Sequence, residues 1–154
     1  MTDYITLHRQ AIKGIGETVE GLVKVFDLAP EKLDSSELPA LYPLTSQASY
    51  NESIKGEFFE EATRVYRVQV PVIPLGLANP QDRESMCQPL IEAVVRTFQG
   101  YPTLGNCPYV RANGVSVLSD SGIVVLPEWG AKYVGFEVRL QVIYDYPREF
   151  SDGE

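Results

Sequence analysis

Residues 133–146 read Tyr-Val-Gly-Phe-Glu-Val-Arg-Leu-Gln-Val-Ile-Tyr-Asp-Tyr, and this stretch decides the fold class of the chain. Its apolar side chains occupy alternate positions, namely Val134, Phe136, Val138, Leu140, Val142 and Tyr144. Successive side chains of a strand point to opposite faces, so the pattern predicts a long strand with one apolar and one polar face. We expect this strand at or next to the centre of an antiparallel sheet, with helices on its apolar side.

Residues 64–72 repeat the pattern, with Tyr66, Val68, Val70 and Val72 at alternate positions. Arg67 and Gln69 between them have the same Arg-x-Gln spacing as Arg139 and Gln141. If the two strands pair, these four polar side chains form one stripe on the sheet. Such a stripe is either a solvated face or a contact with another protein subunit.

Two helices are predicted beside the sheet. Thr2 or Asp3 is a suitable N-cap for a helix that runs to about Gly21. A second helix begins at Asn79-Pro80 and ends at Gly100, with an apolar stripe at Met86, Leu90, Val94 and Phe98. Pro89 is expected to kink or divide this second helix.

Four further segments complete the prediction. Residues 22–26 form a short strand or an extended connector, and residues 38–44, whose two prolines exclude the middle of a sheet, fit an edge strand. Residues 115–118 and 123–126 form a hairpin whose tip contains Asp120 and Ser121. Residues 145–154 form a polar C-terminal tail that includes Arg148 and Phe150.

Residues 45–61 are polar and irregular, which predicts a long loop that is either functional or flexible. Phe58 and Phe59 are adjacent within it. One ring is expected in the core, and the other is a candidate contact with a partner. The fold class is therefore α+β, a single domain with an antiparallel or mixed β-sheet of about four to five strands. The N-terminal helix and the second, amphipathic helix pack on one face of that sheet.

The composition limits the functions open to the chain. It has 154 residues and a net charge of −8, which disfavours broad binding to nucleic-acid phosphates. Cys87 and Cys107 are expected to be free and buried. The first residues lack a signal-peptide pattern, and no apolar run suits a membrane helix, so we expect folding in the cytoplasm.

The sequence contains none of the common catalytic or phosphate-binding motifs. His8 is expected to pack rather than to catalyse, and Glu60, Glu61 and Asp145 are expected to be solvated surface charges. Trp129 anchors either the core or an interface, with the core as the first expectation. No catalytic residue, metal site or cofactor is predicted, and the residues indicate a domain that acts by binding.

Several segments occur in an order that resembles a known family. In chain order they are the N-terminal helix ending at Gly21-Leu22, residues 23–27 with Pro30, residues 37–41, the strand at 64–70, the helix after Pro80, residues 102–105, and residues 133–137. Each is a loose pattern of hydrophobic residues, Pro and Gly, and together they cover most of the chain. In this order they resemble the tail terminator (tail completion) proteins of long-tailed bacteriophages, the class typified by the lambda tail terminator.

The resemblance implies a structural role in the virion. Such proteins form a six-fold ring on the head-proximal end of the tail tube, stop tube growth, and present a surface to neck proteins of the head. The implied partners are further copies of the chain, the tail tube protein and head–neck connector proteins, with DNA passing through and no membrane. Assembly would occur in the host cytoplasm, and the final location would be the tail or neck of the virion.

The resemblance also suggests which residues make contacts. Loop 45–61, the tip at 119–122 and tail 145–154 are the candidate segments, with an acidic channel wall for the DNA. The candidate interface residues are Phe58, Phe59, Arg67, Gln69, Asp120, Ser121, Arg139, Gln141, Arg148 and Phe150. Two alternatives remain open at this point: another head–tail connector ring, or a small enzyme or ligand-binding domain with its site between sheet and helices.

Overall fold

The computed structural model describes residues 3–51, 59–130 and 132–147 and has the α+β architecture that the sequence predicts. Its helices and strands are α1 Tyr4–Gly16, β1 Lys24–Val25, β2 Ala40–Asn51, β3 Phe59–Pro74, α2 Pro80–Gln99, β4 Val110–Asp120, β5 Val124–Leu126 and β6 Tyr133–Pro147. Three single-turn 3₁₀ helices lie at Ser35–Glu37, Leu75–Leu77 and Pro127–Trp129.

The strands form one mixed sheet in the order β1-β2-β3-β6-β4, and β5 also pairs with β6. Only β1 and β2 run parallel; β2–β3, β3–β6, β4–β6 and β5–β6 are antiparallel. The predicted fold class is confirmed, with six strands in the described residues rather than four to five. β6 has neighbours on both sides, as its long period-two pattern indicates.

The core lies between the sheet and the two helices. All six apolar alternate positions of β6 are buried, and so are Tyr66, Val68, Val70 and Val72 of β3. Ile12 and Ile15 of α1, with Leu90, Val94 and Phe98 of α2, complete this core. The pattern of alternation thus predicted the buried face of both long strands, because burial removes apolar surface from water on one face only.

The boundaries of the helices follow local capping. Asp3 caps α1 by accepting a 3.0 Å hydrogen bond from the Thr6 N–H, but α1 ends at Gly16 rather than near Gly21. Gly16 packs closely there, because a Cβ would lie 3.1 Å from Val25 Cγ1. α2 begins at Pro80 after the predicted cap Asn79, and it continues through Pro89 without division.

The predicted loop at 45–61 is wrong for most of its length. Thr45 to Asn51 belong to β2, and Phe59 to Glu61 belong to β3. The side chains there are polar because this end of the hairpin is largely exposed, with Ser49, Tyr50 and Asn51 open to solvent. Backbone pairing with β3, which composition does not reveal, makes the segment a strand. Phe58 lies outside the described residues.

The predicted hairpin between residues 115–118 and 123–126 is also wrong. β4 and β5 pair not with each other but with successive parts of β6, along the same side. Ser121 fastens the connecting turn to β6, since its N–H donates to the Glu137 carbonyl and its Oγ accepts from the Glu137 N–H, both at 2.9 Å. The predicted tail also starts later, because Asp145 to Pro147 belong to β6. Arg148 and Phe150 lie outside the described residues.

Replacing Gly135 by alanine should destabilise the fold severely. Gly135 lies opposite Pro71 in the β3–β6 pair, and a Cβ there would overlap the Val70 carbonyl oxygen and lie 2.9 Å from Pro71 Cα. Both atoms belong to the backbone and cannot move aside as a flexible side chain could. We therefore expect the free energy of unfolding, measured by urea denaturation, to fall by about 3 kcal/mol or more. Gly76→Ala is the control, since a Cβ there meets nothing within 4 Å. An equal effect of both substitutions would contradict the explanation.

Candidate functional site

The face of the sheet opposite the helices, here called the open face, carries the predicted polar stripe. The register places Gln69 opposite Glu137, Arg67 opposite Arg139, and Gln141 opposite Val65. Residues directly opposite in an antiparallel pair share a face. The prediction that Arg67, Gln69, Arg139 and Gln141 lie on one face is therefore confirmed. Tyr42 of β2 joins them because it is opposite Gln69.

A chain of hydrogen bonds crosses the open face near the start of β2. The Trp129 indole N–H donates to the Tyr42 hydroxyl at 2.6 Å, and that hydroxyl donates to Gln69 Oε1 at 2.6 Å. Gln69 Nε2 then donates to Glu137 Oε1 at 3.0 Å. The Trp129 ring meets the Tyr42 ring edge-on, with centroids 5.9 Å apart. Burial raises the pKa of Tyr42 to about 12, so its hydroxyl stays a neutral donor.

Arg67 connects two carboxylates, those of Glu137 and Glu128, to this series of hydrogen bonds. Its Nε donates to Glu137 Oε1 at 2.9 Å, and its Nη2 donates to Glu128 Oε1 at 2.6 Å. Burial alone would raise the pKa of Glu128, but hydrogen bonds from Gln69 and Arg67 outweigh it and hold that pKa below its ordinary value. Glu128 therefore stays ionised, and Arg67 pairs with both Glu128 and Glu137, which rigidifies the open face at this level.

The four polar residues that were predicted to contact a partner differ in their exposure to solvent and in their bonds within the chain. Gln69 is 1 % exposed and hydrogen-bonded to Tyr42 and Glu137, and Arg67 is bound to Glu128 and Glu137. Arg139 is different, because 59 % of its side chain is exposed. Gln141 is half-buried.

The other described interface candidates lie in the turn after β4 and at the start of β3. Asp120 is exposed but accepts the Gly122 N–H at 2.9 Å, and Ser121 is bonded to β6, so neither lies at a free hairpin tip. Phe59 begins β3, and its side chain is outside the described part of the chain.

A second ion cluster, not predicted, lies farther along the open face. Glu61 and Asp145 are directly opposite in the β3–β6 pair, and Arg111 of β4 binds both. Its Nη2 lies 2.9 Å from Asp145 Oδ1. The prediction that these two carboxylates are simply solvated was wrong, because their shared cation is distant in sequence. The cluster ties three strands together and offsets the repulsion of two opposed carboxylates.

His8 is packed in the core, as predicted. It is fully buried, its Nδ1 lies 2.7 Å from the Tyr66 hydroxyl, and its ring meets the Tyr144 ring edge-on with centroids 4.5 Å apart. Its Nε2 has no hydrogen-bond partner among the described residues. Burial, with the nearby positive charge of Arg64, lowers the pKa of His8 to about 4. His8 is therefore neutral at physiological pH.

Other reactive groups are buried or scattered. Cys87 and Cys107 are free and buried, as predicted, and burial raises the pKa of the Cys87 thiol to about 11. Within residues 3–51, 59–130 and 132–147, no group of three or more His, Cys, Asp or Glu side chains is arranged to hold a metal ion. No helix in the same ranges combines the length and apolarity needed to cross a membrane.

Comparison with known proteins adds no relative from which function could be transferred. No protein-family model matches the sequence, and no curated protein matches it either. Functional inference therefore rests on the chain's own residues and geometry, together with the resemblance in element order.

Removing the Tyr42 hydroxyl should destabilise the protein more than removing an exposed one. Tyr42→Phe leaves the buried Gln69 Oε1 and the Trp129 N–H without the hydroxyl that each now bonds, which costs about 1–3 kcal/mol. The control is Tyr50→Phe. The Tyr50 hydroxyl is exposed and accepts a hydrogen bond from Arg64, and water can take its place when it is removed. The free energy of unfolding from urea titrations of both variants is the measurement. Equal losses would show that the buried chain of hydrogen bonds adds nothing special.

Stability should fall as pH drops from about 6.5 to about 4, in part because of His8. In this pH window His8 binds a proton in the unfolded chain but not in the folded one. Lowering the pH therefore reduces the free energy of unfolding, by about 3 kcal/mol at most. Above the unfolded pKa this contribution to stability is complete. His8→Asn, which keeps a polar atom near Tyr66, is the comparison variant. Its unfolding free energy should vary less over the same window; parallel curves would contradict the assignment.

Proposed function

We propose that this chain is a structural virion protein that forms a homomeric ring on the head-proximal end of a phage tail tube. The ring ends tube polymerisation and joins the tail to the neck of the head. The observation that carries the proposal is the form of the sheet: it is a single layer with helices on one face, and among the described residues no further strand covers either of its two edges. A heterologous ring needs two such different, complementary surfaces on each subunit.

The order of elements supports the same proposal. Most of the segments that resemble tail terminators lie in α1, β1, the start of β2, β3, α2 and β6, and residues 102–105 lie between α2 and β4. β1, β2, β3 and β6 belong to one sheet, and α1 and α2 pack against it. One continuous unit of this kind is compatible with the proposed ring subunit.

The charges of the open face suit a surface along which DNA passes without sticking. Arg67 is paired with Glu128 and Glu137, and Arg111 is paired with Glu61 and Asp145. Each cation is thus held by two carboxylates, which leaves it poorly placed to bind phosphate. The open face is thus of mixed charge rather than uniformly acidic.

The proposal is tested by tube length. Tail tube protein polymerised in vitro with the purified chain should give tubes of bounded length with a ring at one end, seen by negative-stain microscopy. Residues 52–58, which join β2 to β3, are the candidate contact with the tube. Replacing them by a Gly-Ser segment of equal length should leave the melting temperature nearly unchanged but prevent capping, because the strands and core remain intact.

The control for this replacement is Arg96→Ala, a change of a highly exposed side chain on α2, which should cap normally. If the wild-type chain leaves tube lengths unchanged, the proposed function is wrong. If both wild type and the replaced variant cap, the function stands and the contact lies elsewhere. A pull-down with portal or neck proteins but not with tube protein would instead indicate another connector ring.

A further inference from the structure

We propose that β1 of one copy pairs with β5 of the next copy, so that the sheet continues from subunit to subunit around the ring. The inference rests on the proposed function only in taking the partner to be a second copy of this chain. It deepens that function by naming the two surfaces that meet. Four features of β1 and β5 support it: their equal position along the strand direction, their opposite directions, the absence of register shifts in their pairs, and their exposed apolar side chains.

β1 and β5 lie at the same level on opposite edges of the sheet. Val25 of β1 is opposite Leu41, and Lys24 is opposite Ala40. Tyr42 pairs with Gln69, so the row continues from Leu41 to Val70 in β3, and Val70 pairs with Phe136 in β6. The next residue of β6, Gly135, pairs with Val124 of β5. A contact between these edges therefore relates neighbours by rotation with little translation, which is the condition for a closed ring.

The directions of the strands also match. β1 is parallel to β2, and the successive pairs β2–β3, β3–β6 and β6–β5 are all antiparallel. β1 and β5 consequently run in opposite directions. Rotation about an axis along the strands preserves those directions, so the new pair between copies would be antiparallel, the slightly more stable pattern.

Both strands have an open outer side. Among the described residues, β1 pairs only with β2, and β5 pairs only with β6. An edge strand presents unpaired N–H and C=O groups that readily accept another strand. Neither pair contains a register shift, whereas the longer edges of β2 and β4 are interrupted between Thr45 and Ala48 and between Val117 and Ser119. Such bulges blunt an edge against pairing, and β1 and β5 lack this protection.

Exposed apolar side chains mark both edges. Val23 and Leu28, on either side of β1, are 60 % and 52 % exposed, and Val125 of β5 is 36 % exposed. Lys24 is the single charged residue of residues 22–26, and residues 123–126 have none. The two edges can therefore meet without like-charge repulsion, and their contact would remove Val23 and Val125 from water.

Cysteine cross-linking tests the contact. Val23→Cys and Val125→Cys are made separately, mixed at equal concentration and oxidised gently; the native Cys87 and Cys107 are buried, with raised thiol pKa values, and react slowly. The mixture should give a 23–125 disulfide-linked dimer. The double variant should give a ladder of linked copies up to the size of the ring.

The control pair is Val23→Cys mixed with Met86→Cys, whose side chain on α2 is 43 % exposed, similar to Val125. Assembly raises the effective concentration of facing thiols, so the 23–125 product should exceed the 23–86 product by at least about tenfold. Equal yields, or disulfides formed mainly between two copies of the same single variant, would overturn the inference, because the contact would then be random or two-fold.

Failure of this contact can be told apart from failure of the proposed function. Oxidation is repeated on chains bound to tail tubes. Capped tubes without a 23–125 disulfide would overturn the pairing of β1 with β5 and leave the capping function standing. A 23–125 ladder in the absence of any capping would support the pairing and remove the function. A chain that neither links nor caps contradicts both.

Discussion

The pairing of β3 with β6 is the constraint on which the rest of the structure depends. It is the longest pairing in the sheet, running from Phe59 opposite Pro147 to Pro74 opposite Tyr133. It brings the two backbones close together at Gly135, where a side chain would meet the Val70 carbonyl oxygen. A shift of one residue would turn every apolar side chain of either strand away from the helices. The core, the open face and the level of both edges are all consequences of this register.

The open face shows how that register acts on polar groups. It places Gln69 opposite Glu137, where Tyr42 and Trp129 shield the amide from water, and it places Glu61 opposite Asp145. Each arrangement would be unfavourable alone: a buried amide needs partners, and opposed carboxylates repel. Tyr42 and Glu137 supply the partners of the Gln69 amide, and Arg111 binds both of the opposed carboxylates. The polar face is thereby stiffened rather than left as a loosely solvated surface.

A stiff sheet covered on one face has consequences for assembly. The helices cover the apolar side, so a partner that contacts the sheet itself must meet the open face, the strand ends or the edges. The long edges of β2 and β4 are irregular, while the short strands β1 and β5 are regular and lie at one level. A ring built through these short strands would cover the outer sides of β1 and β5, and covering an exposed edge is one way in which β proteins avoid uncontrolled association.

The sequence alone determined those features that depend on residues close together in the chain. Alternation in β6 and β3 predicted their buried faces, and Asn79, Pro80 and Gly100 predicted both ends of α2, because side-chain direction and capping are local properties. The burial of Cys87 and Cys107 was predicted as well. Tertiary structure decided the rest. The polar residues Thr45 to Asn51 became a strand through pairing with β3, and β4 and β5 paired with β6 instead of each other. The partners of Arg67, Arg111 and Trp129 are far away in sequence, and only the register of distant strands brings such groups within bonding distance.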